Sequence, residues 1–291
     1  VGEGARSPRD KQPIFEDVFL AANAGLETSR KSAMLITGET GGGKTNAAAK
    51  TAVEAALRGA TVLMLDPKHD LDGLENLGLT NFQRLELTPD HAGLLNPFGS
   101  VHSDRPRQGL LAAEVCQRML NQDLLVRGGY LIESAAMAEA RQPQPTMPGL
   151  IERIRQGASD AVGEQVAANL EAIADMPQGA LLFAEPTAGR RLDIEGKLTL
   201  VQLADIQLPE PGATRLTLRQ RLTLGLMTAL TALCGDLIEF GADWIPKLLV
   251  IDEAHLLLGS SELETVIERF SRLGRSKFAV VMLVTQSMRD V

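Results

Sequence analysis

The chain has 291 residues, 44% of them hydrophobic, 23% charged and only 3% aromatic, with a formal net charge of −8. That make-up belongs to a globular chain with a sizeable core of Leu, Val, Ile and Ala, and it contains no apolar run of the roughly 18 residues that cross a bilayer. The acidic balance excludes a surface that is basic all round, the kind that binds nucleic acid nonspecifically by counterion release, and leaves only a local basic groove open.

Residues 1–13, VGEGARSPRDKQP, are polar, aperiodic and contain Gly and Pro, the composition of a flexible linker. The folded part is expected from Ile14. AMLITG, beginning at Ala33, is a short apolar run, followed by a Gly-rich loop and then by KTNAAAKTAVEAALRG, a strong helix former that ends at Gly59. TVLMLD, from Thr61 to Asp66, is a second continuous apolar run of the kind buried on both faces in parallel sheets, and it completes a βαβ unit.

From about Asp104 to Asp175 helix-type patterns run without clear strands, broken by QPQPTMPG at Gln142 to Gly149, so a helical insertion is expected over residues 104–185. Cys116 and Cys234 lie far apart in helical surroundings without CxxC spacing and read as small buried apolar residues. Strand signals return in LTLVQL (Leu198–Leu203), LLVID (Leu248–Asp252) and FAVVMLVT (Phe278–Thr285). A helix with Leu222, Leu226, Leu230, Leu233 and Leu237 along one face separates the first two. Ser261 and Glu264 form a capping box that opens a helix stopped by Gly274. The core is thus expected in two parts, 14–103 and 186–291.

Gly38-Glu39-Thr40-Gly41-Gly42-Gly43-Lys44-Thr45 matches GxxxxGK[ST] between a strand and a helix. In that arrangement consecutive backbone N–H groups and the helix dipole cradle phosphates, Lys44 adds a point charge and the Thr45 hydroxyl serves Mg²⁺. LLVIDEAH puts Asp252 at the end of a buried strand, where it can hold Mg²⁺ through water, and puts Glu253 where it can polarise an attacking water. DEAH also occurs in superfamily-two helicases, but too few residues follow His255 to build their second RecA-like domain; His255 reads as packing or as support for the acids. Gln286, just past the last apolar strand, can orient water or report on the γ-phosphate if that strand lies beside Asp252.

Arg272 and Arg275, in SRLGRSKF, are either a solvated basic turn or a guanidinium that reaches a neighbouring subunit's phosphate. Asp66, in DPKHD, fits either a supporting position near the ligand crevice or a turn. Arg215, Arg219 and Arg221 on a helix, with Arg190 and Arg191 on a loop, are phosphate contacts or solvated faces.

Taken in order, GETGGGKT, VLMLDPKHD, LLNPFGS, LLVIDEAH and GRSKFAVVMLVTQS resemble the HerA–FtsK superfamily of P-loop motors. The LNPF tetrapeptide, PTMPGLIERI, the LLFAEPT to LTLVQLADI stretch and the GRxK…TQS ending resemble most the VirB/TraC-type ATPases of conjugation and type IV secretion, over roughly Ile14 to Val291. The resemblance implies an α/β RecA-like P-loop NTPase, a doubly wound, mostly parallel sheet with an all-helical insertion. It implies Mg-ATP hydrolysis powering pilus assembly or substrate translocation, a homo-hexameric ring, a cytoplasmic location at the inner face of the plasma membrane, and inner-membrane channel components as partners. It favours Arg275 over Arg272 as the group acting in trans and makes Gln286 the polar sensor. The family's motor continues past the TQ segment and carries an N-terminal channel-contacting domain, so a motor cut short at its C-terminus is expected here. A DNA translocase or coupling ATPase with DNA in the ring pore, a nucleotide-binding scaffold that no longer hydrolyses, and a small-molecule kinase are the alternatives.

Overall fold

The computed structural model describes residues 2–3, 13–14, 33–39, 41–99, 104–157, 161–185, 194, 197–209, 213, 215–240, 244–256, 267–268 and 278–285. Strands β1 (Gly2–Glu3) and β2 (Pro13–Ile14) pair antiparallel within and at the edge of the stretch expected to be a linker. The main sheet has six strands: β3 (Ala33–Thr37), β4 (Thr61–Leu65), β5 (Phe82–Leu87), β6 (Leu198–Leu203), β7 (Lys247–Ile251) and β8 (Ala279–Thr285). Their spatial order is β3-β8-β7-β4-β6-β5 and every pairing is parallel.

The register lines up the carboxyl ends. Leu65 sits opposite both Val201 and Ile251, Ile251 opposite Leu283, and Thr37 opposite Thr285. The ladder runs one residue further, with Asp66 N–H donating to Val201 O at 3.0 Å and Asp252 N–H to Leu65 O at 3.1 Å. Gly38, Asp66, Asp252 and Thr285 at the end of β8 therefore lie along one edge, where open parallel sheets bind ligands.

Alternation along each strand assigns the two faces. Val62, Met64, Leu198, Leu200, Leu248, Val250, Val280, Met282 and Val284 pack against helix α1 (Lys44–Leu57), whose buried residues are all alanine: Ala48, Ala49, Ala52, Ala55 and Ala56. Helix α1 stops where the sequence places its end, with Gly59 at φ 87° just past it. Leu63, Leu65, Val201, Leu203, Leu249, Ile251, Val281 and Leu283 face the other way. They share one core with helices α2 (Arg105–Arg118), α3 (Gln122–Ala140), α4 (Met147–Gly157), α5 (Ala161–Ala174), α6 (Ala180–Phe183) and α7 (Leu218–Phe240). Of the leucine row expected on α7, Leu222, Leu226 and Leu230 are buried and Leu233 packs against the core.

Strand β5 was not expected. FQRLEL alternates polar and apolar residues and lies half-buried at the sheet's edge, so it lacks the continuous apolar run that marks β3, β4, β7 and β8. Just after it, the LNPF segment joins the sheet to α6. Leu95 N–H donates to Leu181 O at 3.0 Å, and the Asn96 amide donates to Ala184 O at 2.7 Å while its Oδ1 accepts from Phe98 N–H at 2.9 Å. Gly93 adopts φ 73° with Glu185 O only 1.9 Å from where a Cβ would stand, so no other residue fits this crossing. Among the described residues no helix is long and apolar enough to cross a membrane.

Candidate nucleotide site

The Gly-rich loop leaves β3 at Gly38 and enters α1 at Lys44. Gly41 and Gly43 take φ of 81° and 78°, left-handed values that cost an L-residue roughly 1–2 kcal/mol, and Gly42 N–H closes a turn on Glu39 O at 3.0 Å. The residues wrap the loop around the positive end of α1, where unpaired N–H groups and the macrodipole favour an anion. Lys44 Nζ donates to Glu39 O at 2.8 Å, so its ammonium lies back across this loop. Thr40 lies outside the described residues.

Thr45, in the first turn of α1, donates from Oγ1 to Asp252 Oδ2 at 3.0 Å. Asp252 is 3% exposed at the end of β7, and its Oδ1 accepts from Glu253 N–H at 2.8 Å. Burial pushes its carboxyl pKa up. Hydrogen bonds from Glu253 N–H and the Thr45 hydroxyl oppose this, and the charges of Glu253 and Asp66 add to the rise. A buried carboxylate short of positive charge beside a hydroxyl fits a hard dication. Mg²⁺ is commonly held by one or two protein groups together with phosphate oxygens and water.

Glu253 has φ 53°, a left-handed conformation that costs a non-glycine residue about 1–3 kcal/mol. Its side chain is 8% exposed. Oε1 is ion-paired with Lys68 Nζ, and Oε2 lies 3.2 Å from His255 Nδ1. His255 thus stands against the acid instead of serving only as packing. The segment after it is tied to the helical region, with Arg118 Nη2 donating to Leu256 O at 2.6 Å.

Asp66 is fully buried and takes the turn role. It accepts from Asp70 N–H at 3.2 Å, Leu71 N–H at 3.0 Å and Gln202 Nε2 at 2.8 Å. Arg221 is not a surface phosphate contact: it is 7% exposed and donates to Met119 O at 3.3 Å and Asn169 Oδ1 at 3.1 Å, and burial lowers its pKa. Arg215 and Arg219 are exposed. Thr285 ends β8 beside Thr37, and its buried hydroxyl has no hydrogen-bond partner among the described residues. Gln286, Arg272, Arg275, Arg190, Arg191, Ser261, Glu264 and Gly274 lie outside the described residues. Sequence reasoning missed Lys68 and Gln202; their only sequence signal is a position just after, or at the end of, a parallel strand.

A family model for an AAA-like domain matches residues 11–291. The chain belongs to that family. This AAA-like domain superimposes on the structure of VirB4 of Thermoanaerobacter pseudethanolicus with a TM-score of 0.70 at 17% identity, over 97% of this chain and 76% of that one. It also matches the bacterial conjugative coupling protein TrwBdeltaN70 in its unbound monoclinic form, with a TM-score of 0.56 at 16% identity over 89% of this chain. The plasmid coupling protein TrwB in complex with ADP and Mg²⁺ matches with a TM-score of 0.53 at 16% identity, again over 89% of this chain. The AAA-like domain spans 63% and 65% of those two chains, less than two thirds of their length. Among curated proteins none matches by sequence. The expected RecA-like P-loop class is the fold observed.

Proposed function

We propose that this AAA-like domain is the ATP-hydrolysing motor of a conjugation or type IV secretion machine, driving pilus assembly or substrate translocation. The observation that carries the reading is the 3.0 Å hydrogen bond between Thr45 and Asp252, which brings the phosphate loop and the acidic strand end together at the N-terminus of α1. In this reading the loop from Gly38 to Thr45 binds the triphosphate, Lys44 turns from Glu39 O to the phosphates, and Thr45 and Asp252 hold Mg²⁺. The ion, when bound, would supply positive charge that offsets the charge of the phosphates. Glu253 orients and polarises the water for in-line attack, Gln286, which follows Thr285 in sequence, also orients it, and Arg275 completes the site of a neighbouring subunit in a homo-hexamer. Residues 14–103 and 186–291 form the motor core and 104–185 the insertion. The ring docks on membrane channel components at the inner face of the plasma membrane.

ATP turnover by the intact protein tests the assignment. Lys44→Ala and Glu253→Gln are expected to abolish it, and unchanged rates in both would remove the reading. The likeness to TrwB, a conjugative coupling protein, supports a second reading in which DNA occupies the ring pore. Salt-sensitive stimulation of turnover by DNA selects that reading, and its absence selects the secretion motor. Single-turnover hydrolysis eliminates a non-hydrolysing scaffold.

A further inference from the structure

The backbone of Glu253 stands at φ 53°, a conformation that persists in a non-glycine residue only where its surroundings over-determine it. Both of its main-chain groups are held. Its N–H donates to Asp252 Oδ1 at 2.8 Å, and its carbonyl accepts from Leu256 N–H at 2.9 Å. The second bond closes the short 3₁₀ turn Ala254–Leu256, whose end residues are both buried in the core.

The far end of that turn is held from outside the sheet. Leu256 O accepts from Arg118 Nη2 at 2.6 Å, so two hydrogen bonds in series run from Glu253 O through Leu256 to a guanidinium. A bond from a charged donor is about twice as strong as a neutral one. Arg118 is the last residue of α2, and the end of α2 is fixed in turn. Gln117 Nε2 donates to Gly129 O of α3 at 3.2 Å, and Met119 O accepts from Arg221 Nη1 of α7 at 3.3 Å. The strained residue at the sheet edge is thus braced by the helices.

As a packing group Arg118 is a poor choice. Its Nε is buried with no hydrogen-bond partner among the described residues, and burial lowers its pKa against the opposing charge of Glu114. An apolar side chain of similar length would fill the space without that desolvation. What the arginine adds is the directed contact with Leu256 O.

We propose that Arg118 is a positioning residue: through Leu256 it fixes the left-handed backbone of Glu253 and so supports ATP turnover from the helical region. The proposal rests on the reading of Glu253 as the water-orienting group. Thr45 and Asp252 are joined by a bond of their own, so nucleotide binding does not depend on this contact.

The test uses the intact protein and compares Arg118→Met, Arg118→Lys and Glu253→Gln with wild type. Turnover, affinity for a fluorescent ATP analogue and hydrogen exchange at the Leu256 amide are measured on each. Arg118→Met is expected to lower kcat on the order of 10- to 100-fold, the effect of a small misplacement that starts far from the chemistry, with analogue affinity unchanged. Its Leu256 N–H should exchange faster while the amides of β7 stay protected. Arg118→Lys should keep most of the rate, because an ammonium also donates to a carbonyl and a single contact does not need the guanidinium fork. Wild-type turnover by Arg118→Met overturns the proposal, as does a fall in kcat matched by a fall in analogue affinity, or an Arg118→Lys as slow as Arg118→Met. Wild-type turnover by Glu253→Gln overturns the underlying reading of Glu253, an outcome distinct from an inactive Glu253→Gln beside an unimpaired Arg118→Met.

Discussion

Thr45 Oγ1 and Asp252 Oδ2 lie 3.0 Å apart, joining the first turn of α1 to the end of β7 across 207 positions of sequence. This contact joins the phosphate loop directly to the acidic strand end, and in the proposed reading both groups serve the same dication. Thr45→Val removes the hydroxyl at nearly constant volume. Nucleotide affinity measured in Mg²⁺ is expected to fall on the order of 10- to 100-fold, as it does when groups that support a metal are lost. With Mg²⁺ removed by chelation, wild type and variant should bind ATP alike; a difference that persisted there would mean that Thr45 acts on the phosphates and not on the metal.

Asp252 also makes stability depend on pH. Burial raises its pKa in the folded protein above the ordinary value of 3.8, so folding favours the protonated acid. Its contribution to stability is fully present below 3.8 and is lost as pH rises through the higher, folded-state value. In metal-free protein at neutral pH the charged side chain therefore destabilises the fold. Asp252→Asn is expected to raise the melting temperature at pH 7, with a gain that shrinks as pH is lowered toward 3.8, while removing the stabilisation that Mg-nucleotide gives wild type. Melting curves with and without Mg-nucleotide across that range check both halves.

Glu139 secures the turn between α3 and α4. Its Oε1 accepts from Thr146 N–H at 2.9 Å and its Oε2 from Arg153 Nε at 2.6 Å, and the residue is 5% exposed. Glu139→Ala leaves a buried donor and a guanidinium without their acceptor, a loss of about 3 kcal/mol. Chemical denaturation should report that loss, and nucleotide affinity of the folded variant should stay at the wild-type level because the site lies on the sheet edge.

Both thiols are shielded. Burial pushes the Cys116 pKa up to about 12, and burial together with the charge of Asp236 pushes that of Cys234 up as well. Thiolate is the reactive form, so the native protein is expected to resist a thiol reagent such as DTNB, whereas denatured protein should release two equivalents per chain. Rapid labelling of the native protein would contradict the packing of α2 and α7.

Much of this architecture was legible because strands of a parallel sheet announce themselves as apolar runs, as in AMLI of β3, VLML of β4, LLVI of β7 and AVVMLV of β8. Strand β5 escaped because an edge strand keeps Arg84 and Glu86 on its outer side and looks like a loop. The loop from Gly38 to Thr45 and the Asp252-Glu253 pair were legible because their chemistry is local. The Lys68–Glu253 pair was not, since it exists only once β4 is placed beside β7, a choice of neighbour that no local pattern encodes. Arg221 misled for the opposite reason: a guanidinium in a helix reads as surface until its interior acceptors, Met119 O and Asn169, are seen.

The alanines beneath the phosphate loop set where side-chain freedom lies in the seam between helix and sheet. Ala48, Ala49, Ala52, Ala55 and Ala56 have no rotamers to lose on folding and none to explore afterwards. At that seam only the strand side chains, Met64, Leu198, Leu200, Leu248 and Met282 among them, have rotamers to exchange, so side-chain freedom beneath the loop comes from the sheet and not from the helix.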